Sequence, residues 1–266
     1  MEVSKKIQVE NEEIFYFLEE NNRPKVLFLH GFNSSHNFIF QLRKNKNRNY
    51  DIVSFDFPGC GQSSNNDKIS VENYQKIAVS FIKTLNLKVQ IVVSHSLGAA
   101  SALYVLNEKL AKKAILVAPL NPYIFELNLM EEMKKLGIWL LPRNLQEAKE
   151  SLENLVFDNK FGFKNNLAKN AINFFKTVEK KEIIFSYIVF KQILNLNWHK
   201  NVLLPLYEQK NDYYLVGGAN DKFVSIKSVE KISLVFGKKM IKLKKTGHAV
   251  FFERSEEVNA EIEKML

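Results

Sequence analysis

The chain has 266 residues, 46% of them hydrophobic, and a formal net charge of +9, enough for one large α/β domain with room for an inserted subdomain. Its single cysteine, Cys60, excludes an intramolecular disulfide, and no run of about eighteen apolar residues marks a membrane span. The excess charge is nearly all lysine on an Asn-, Ile- and Phe-rich background, without the clustered arginines or recognisable module of a nucleic-acid-binding protein, so no nucleic-acid partner is expected.

The charged opening MEVSKKIQVENEEIFYFLEE lacks the apolar stretch of a signal peptide, and a cytoplasmic location is expected. Residues 5–9 and 14–18 flank Glu10-Asn11-Glu12 and predict an antiparallel hairpin at the sheet edge. Residues 25–29 (KVLFL) read as a buried strand running into His30-Gly31-Phe32, where a glycine lets the backbone turn sharply and leaves the Phe32 N–H free to point into a cleft. Residues 50–55 form the next strand and end in the loop DFPGCGQS, 56–63. Residues 71–87 have helical spacing behind Ser70 as N-cap.

Residues 89–105, VQIVVSHSLGAASALYV, are the most informative stretch. Gln90-Ile91-Val92-Val93 suits a central parallel strand. Ser94 to Gly98 is a tight turn with Ser96 at its apex, and residues 99–106 are a small-residue helix. A serine there projects its hydroxyl from the end of the sheet, and the following helix points its free N–H groups at the same spot. Residues 113–118 are a further buried strand.

Between about 121 and 204 no strand is visible. Helices are expected over 126–140, 146–157, 165–178 and 182–196. Most of their aromatic residues (Phe161, Phe163, Phe174, Phe175, Phe185, Tyr187, Phe190 and Trp198) are expected to pack between these helices, with a minority lining a pocket. The sheet resumes at 213–216, followed by Gly217-Gly218-Ala219-Asn220-Asp221. A helix over 228–236, a strand over 240–243, Thr246-Gly247-His248 and a helix over 255–265 close the chain. Lysines 238, 239, 242, 244 and 245 are read as protection of an edge strand rather than as a membrane surface.

Five motifs, HGF (30–32), DFPGCGQS (56–63), SHSLG (94–98), GGAND (217–221) and TGH (246–248), each follow a predicted strand. Together they resemble the α/β-hydrolase superfamily over nearly the whole chain outside the helical stretch. The one departure is Ser94, where the usual G-x-S-x-G turn has its first glycine. The resemblance implies a mostly parallel twisted β-sheet flanked by helices, with a core of 1–120 and 206–266 and a helical cap of 121–205. The family's order of nucleophile, acid and histidine falls on Ser96, Asp221 and His248. Its oxyanion hole falls on the backbone N–H groups of Phe32 and Leu97, and the 56–63 loop is structural.

The residues themselves agree with that assignment. A serine hydroxyl needs a neighbouring base, and His248, in a loop just after a strand, has the best context of the five histidines. His95 is expected to point away from Ser96, His30 to support its loop, and His36 and His199 have no comparable setting. Their spacing suggests no metal site. Asp221 follows its strand, whereas Asp212 precedes it and belongs at the wrong end of the sheet. These readings predict a cofactor-free serine hydrolase, a carboxylesterase of hydrophobic esters working through an acyl-enzyme. Its partner is then a small-molecule ester or acyl substrate. Thioesterase, lysophospholipase and C–C bond hydrolase chemistry share the same triad, and a non-catalytic ligand-binding protein on the same scaffold is the rival of another class.

Overall fold

Hydrophobic alternation along the predicted strands is resolved into two faces of one eight-stranded sheet. The computed structural model describes residues 2–45, 47–125, 129–158 and 160–266. The strands are β1 (Glu2–Val9), β2 (Glu12–Glu19), β3 (Lys25–Leu29), β4 (Asp51–Phe55), β5 (Val89–His95), β6 (Lys113–Val117), β7 (Tyr213–Gly218) and β8 (Met240–Leu243). Their order in the sheet is β1-β2-β4-β3-β5-β6-β7-β8. The β1–β2 hairpin pairs antiparallel with β4, and every pair from β4 to β8 is parallel. The lysine-flanked β8 is an edge strand, as expected.

Successive residues of a strand point to opposite faces. Leu27 and Leu29 of β3, Val92 of β5 and Leu116 of β6 therefore join one apolar cluster. Val26 and Phe28, Ile91 and Val93, and Ile115 and Val117 join the other. Helices α1 (Phe40–Lys44), α2 (Val71–Thr84) and α3 (Gly98–Asn107) follow β3, β4 and β5. Burial of Ile77, Phe81 and Leu103 puts α2 and α3 on the first face, and Leu42 puts α1 on the second. Ser70 caps α2 by accepting the Asn73 N–H, a contact whose loss to alanine costs about 1 kcal/mol. The chain thus leaves β3 towards β4 on one face, then crosses back to β5 and onward on the other. The C-terminal ends of β3 and β5 form the point where connections diverge, which is where open α/β sheets bind ligands.

Between β6 and β7 the described chain is helical: α4 (Leu129–Leu140), α5 (Leu145–Leu155), α6 (Leu167–Tyr187), α7 (Leu196–Trp198) and α8 (Leu204–Glu208). Residues 126–128 of the first expected helix lie outside the described residues, as does the side chain of Phe161. The two helices expected over 165–178 and 182–196 are instead one 21-residue helix, α6, prolonged by a π-helical turn, Ile188–Ile193. Glu179, Lys180 and Lys181 between them are polar but good helix formers, and without glycine or proline nothing stops the helix there. The aromatic residues divide differently from expectation as well. Phe185 and Trp198 are buried and Phe174 lines a cavity, but Tyr187 and Phe190 face solvent.

After β7 come α9 (Ile226–Phe236), α10 (Val250–Glu253) and α11 (Ser255–Met265). Among the described residues no helix is long and apolar enough to cross a membrane.

Candidate active site

The turn after β5 holds Ser96 at φ +50°, a left-handed conformation that a non-glycine residue adopts only when its surroundings over-determine it. Three backbone bonds do so here. The Ser96 N–H donates to the Val117 carbonyl at 3.0 Å, and the Ser96 carbonyl accepts from Ala99 and Leu120, each at 3.0 Å. Two glycines let neighbouring backbone come close. A Cβ on Gly98 would lie 2.4 Å from the Leu29 carbonyl oxygen, and one on Gly31 would lie 2.8 Å from His95 Nδ1 and 3.1 Å from Ser96 Cβ. Ser94 fits where the usual motif has glycine. It is fully buried in β5, with a hydroxyl that has no hydrogen-bond partner among the described residues.

The loop after β7 carries Asp221 and the loop after β8 carries His248. His248 Nδ1 and Asp221 Oδ2 are 2.8 Å apart. The other carboxylate oxygen accepts the backbone N–H groups of Phe223 at 2.8 Å and Val224 at 2.9 Å. A carboxylate so fixed keeps the imidazole proton on Nδ1 and leaves Nε2 as the basic nitrogen. The Phe223 ring stacks on His248 at 5.0 Å between centroids. Ser96 and His248 line one cavity of about 230 Å³, with no hydrogen bond between them. Phe32 and Leu97 line it too, and the backbone N–H of each has no acceptor among the described residues. All five residues singled out from the sequence are therefore brought to the same end of the sheet. Asp212 is at the other end, just before β7.

The rest of the lining is mainly apolar, with Asn33, Ser34, His95 and Ser151 as its polar members. Leu136, Trp139 and Leu140 of α4, Leu152 and Leu155 of α5, and Phe174 of α6 face the core residues Leu120 and Phe223. No Lys, Arg, Asp or Glu among the described residues lines this cavity. Such a space accepts an uncharged, largely apolar group.

Several buried polar residues hold the loops. His30 Nε2 accepts the Phe57 N–H at 2.9 Å, and His30 Nδ1 lies 2.7 Å from the Gly31 carbonyl. Burial pushes its pKa down to about 4, so it stays neutral and fixed in one tautomer. Burial alone would raise the Asp56 carboxyl, but the His36 side chain and the N–H groups of His36 and Gln62 hold it below its ordinary value. This makes the 56–63 loop a structural knot.

Two residues escaped the sequence reading. His95 was expected to point away from Ser96. Its ring lies 4.7 Å from the His248 ring, and its Nε2 donates to the His248 carbonyl at 2.9 Å, a role the sequence did not signal. Burial, then the nearby His248, push its pKa well down, so it acts as a neutral brace. The carboxylate of Glu253, buried in α10, accepts the Gly247 N–H at 2.7 Å on one oxygen. Its other oxygen accepts the Phe157 N–H at 2.8 Å and the Asp158 N–H at 3.3 Å. It fastens the His248 loop to the chain following α5. The Gly–x₅–Glu spacing signals nothing by itself, and only the fold brings residue 157 to this carboxylate.

A serine on a strained strand-to-helix turn, a histidine tied to a carboxylate, and two free N–H groups around one cavity define a hydrolase of the α/β class. Comparison with known proteins agrees: residues 26–261 match the model of the Alpha/beta hydrolase family, and the chain belongs to that family. It is 28% identical over 218 residues to the "Putative esterase/lipase 2" of Mycoplasma pneumoniae, covering 78% of this chain and 75% of that protein. Among solved structures it superposes on a serine hydrolase from the polyaromatic-hydrocarbon-degrading bacterium Cycloclasticus zankles with a TM-score of 0.81, at 16% identity over 99% of this chain and 97% of the other. It also superposes on the 2-hydroxy-6-oxo-6-phenylhexa-2,4-dienoate hydrolase of Rhodococcus sp. strain RHA1 with a TM-score of 0.75, at 14% identity over 100% and 98% of the two chains. At these identities the structural matches speak for the fold alone.

Proposed function

We propose that this hydrolase cleaves neutral, hydrophobic carboxylic esters through an acyl-enzyme on Ser96. The observation that carries the reading is the pairing of a left-handed Ser96 with an Asp221-tethered His248 in one uncharged cavity. In this mechanism His248 Nε2 takes the Ser96 proton as Oγ attacks the acyl carbon. The N–H groups of Phe32 and Leu97 bind the oxyanion, each worth roughly 10²–10³-fold in rate. His248 then protonates the departing alkoxide, and water attacks the acyl-enzyme with the same histidine as base. No step calls for a cofactor or a metal.

On this reading residues 121–205 are a cap over a core of 1–120 and 206–266, and α4, α5 and α6 shape the acyl site. The relative from Mycoplasma pneumoniae, by its name an esterase or lipase, supports ester chemistry. The Rhodococcus enzyme is named for a dienoate, and a carboxylate-bearing substrate calls for a cation that this cavity lining lacks among the described residues. A cytoplasmic site of action is supported by the single, buried cysteine.

The test is hydrolysis of p-nitrophenyl esters from acetate to palmitate beside Ser96→Ala, with fluorophosphonate labelling of both. Activity that peaks at one chain length and vanishes with labelling in Ser96→Ala is expected. Labelling without activity on any ester would transfer the mechanism to thioesters or C–C bonds. Absence of both would favour a binding protein.

A further inference from the structure

Most of the chain's excess charge sits in one place. Residues 160–205 hold eight lysines and two glutamates, a net +6 of the chain's +9. On α4 and α5 the basic residues are largely neutralised, as in Lys135–Glu131 and Lys149–Glu153 within the helices and Arg143–Glu147 at the start of α5. On α6 they are not: Lys169, Lys176 and Lys180, and Lys191 just beyond, are exposed and form no ion pair with a described residue. The two acidic residues, Glu179 and Glu182, are also exposed.

The same strip exposes large apolar side chains. Residues three and four apart share a helix face, so Lys169, Ile172, Lys176, Lys180, Ile183 and Tyr187 form one outward stripe. Ile183 is 89% exposed, Phe190 in the following π-helical turn is 55% exposed, and Lys68 from the core sits over the Tyr187 ring. The opposite face of α6 is spent inward. Val178 is buried, Phe174 lines the cavity and the Phe185 ring meets Phe32 at 5.0 Å. The helix above the cavity thus has an inner face that packs and an outer face that keeps water-exposed isoleucine and phenylalanine among unpaired cations.

We propose that this outer face of α6 and the turn after it dock on a bilayer carrying anionic headgroups, with Ile183 and Phe190 entering the interface and Lys169, Lys176, Lys180 and Lys191 meeting the headgroups. Alternating lysine and large apolar residues on one helical face is the composition that binds such an interface. Charge supplies attraction there and the apolar groups supply depth. An acidic protein would take up the lysines but offers no fluid apolar phase for Ile172, Ile183 and Phe190, set apart from one another among charges. Docking in this orientation sets α6 between the bilayer and the cavity. The inference does not depend on the ester-hydrolase reading, because its test reads binding.

The test is flotation of the full chain with vesicles of phosphatidylcholine alone and of phosphatidylcholine with roughly 30% phosphatidylglycerol. Flotation with the anionic vesicles and not the neutral ones is expected. Lys176→Ala with Lys180→Ala should weaken it about 25-fold, at about fivefold per lysine. Ile183→Ser with Phe190→Ser should weaken it about tenfold or more, while hydrolysis of a soluble short-chain ester stays unchanged. No flotation, equal flotation with neutral vesicles, or indifference to both pairs of substitutions overturns the proposal. So does a dimer, seen by size-exclusion chromatography, that Ile183→Ser with Phe190→Ser dissolves, since a second copy would then be the occupant.

Discussion

The strand-end loops and the helices above them are built by different physics. In the loops nearly every polar group is pinned by backbone. Ser96 is held through Val117, Ala99 and Leu120, Asp221 through Phe223 and Val224, and His30 through Phe57 and Gly31. The helical segment offers the cavity mainly apolar bulk and is tied to the core at a few polar points. Gln192 Oε1 accepts the Val71 N–H, and the Gln192 amide and the Trp198 indole donate to Glu72. Lys181 donates to the Gly59 carbonyl, and Glu253 holds the Phe157 and Asp158 N–H groups. Hydrogen bonds depend steeply on direction and apolar contacts do not. On the proposed function, atomic placement for chemistry therefore belongs to the loops, and selection by size belongs to the helices.

The sharpest way to break that division is to change the loop residues without altering their shape. Asp221→Asn should lower kcat/KM by about 10³–10⁴-fold with the fold intact, because the amide no longer fixes the His248 tautomer. Asp212→Asn should leave activity unchanged. Steady-state kinetics on the preferred ester decide this, and the reverse pattern would remove Asp221 from the site. Glu253→Ala joins the two regions. It strands three N–H groups, each buried loss costing about 1–3 kcal/mol, so thermal stability should drop and kcat should fall about 10- to 100-fold. Glu253→Gln, which keeps one acceptor, should recover part of both.

Substitution in the helices should act on selection instead. Trp139→Ala enlarges the cavity that Ser96 also lines. It should move the preferred acyl chain to greater length, changing the ratio of long- to short-chain kcat/KM by about tenfold or more. Reactivity of Ser96 towards a small fluorophosphonate should stay the same. A loss of labelling in this variant would mean that the helices help to set the chemistry.

Both regions bury a neutral histidine, and here they should behave alike. Burial lowers His30 in the loops and His199 in the helical segment to about 4. In the unfolded chain each takes up a proton near pH 6.5, whereas in the folded chain it does so only near pH 4. Stability should therefore fall as pH drops from about 6.5 to about 4, by about 1.4 kcal/mol per unit for each histidine. His199→Phe should flatten the urea-midpoint profile over that window without changing activity at neutral pH. An unaltered slope would show that His199 titrates normally.

How much of this was legible in the sequence follows the same division. Ser96 stands directly after a strand, and Asp221 and His248 lie in the short loops that follow strands, all beside glycine-marked turns, so local pattern and chain order were enough to collect them. The helices above were visible as helices, but not the continuity of α6, because a charged Glu179-Lys180-Lys181 stretch reads as a break although it is good helix. His95 and Glu253 were not legible. The partner of His95 is a carbonyl 153 residues away and a partner of Glu253 is an N–H 96 residues away, and nothing in the neighbouring sequence records either. In the sequence the lysines around β8 stand out, as edge protection; only exposure and ion pairing single out those of α6.

The smallest expected effect tests whether the turn at Ser96 is held by its own backbone bonds or by the residue two before it. A glycine is usual at position 94 because strand and helix pass close together there, yet Ser94 is accommodated and Ser96 still adopts φ +50°. Three backbone hydrogen bonds account for that angle without any part for Ser94. Ser94→Gly removes a buried hydroxyl with no partner, a gain, and loosens an interior strand residue, a cost of about 0.5–1 kcal/mol. The two should nearly cancel, leaving kcat/KM within about threefold of the parent and the melting temperature within a few degrees. Ser94→Ala keeps the strand stiff and should come out the more stable of the two. If instead both changes cost activity by orders of magnitude while folding is unaffected, the unpartnered Ser94 hydroxyl must find its partner only when substrate is bound. The division between pinned loops and permissive surroundings would then have to be redrawn one layer deeper into the sheet.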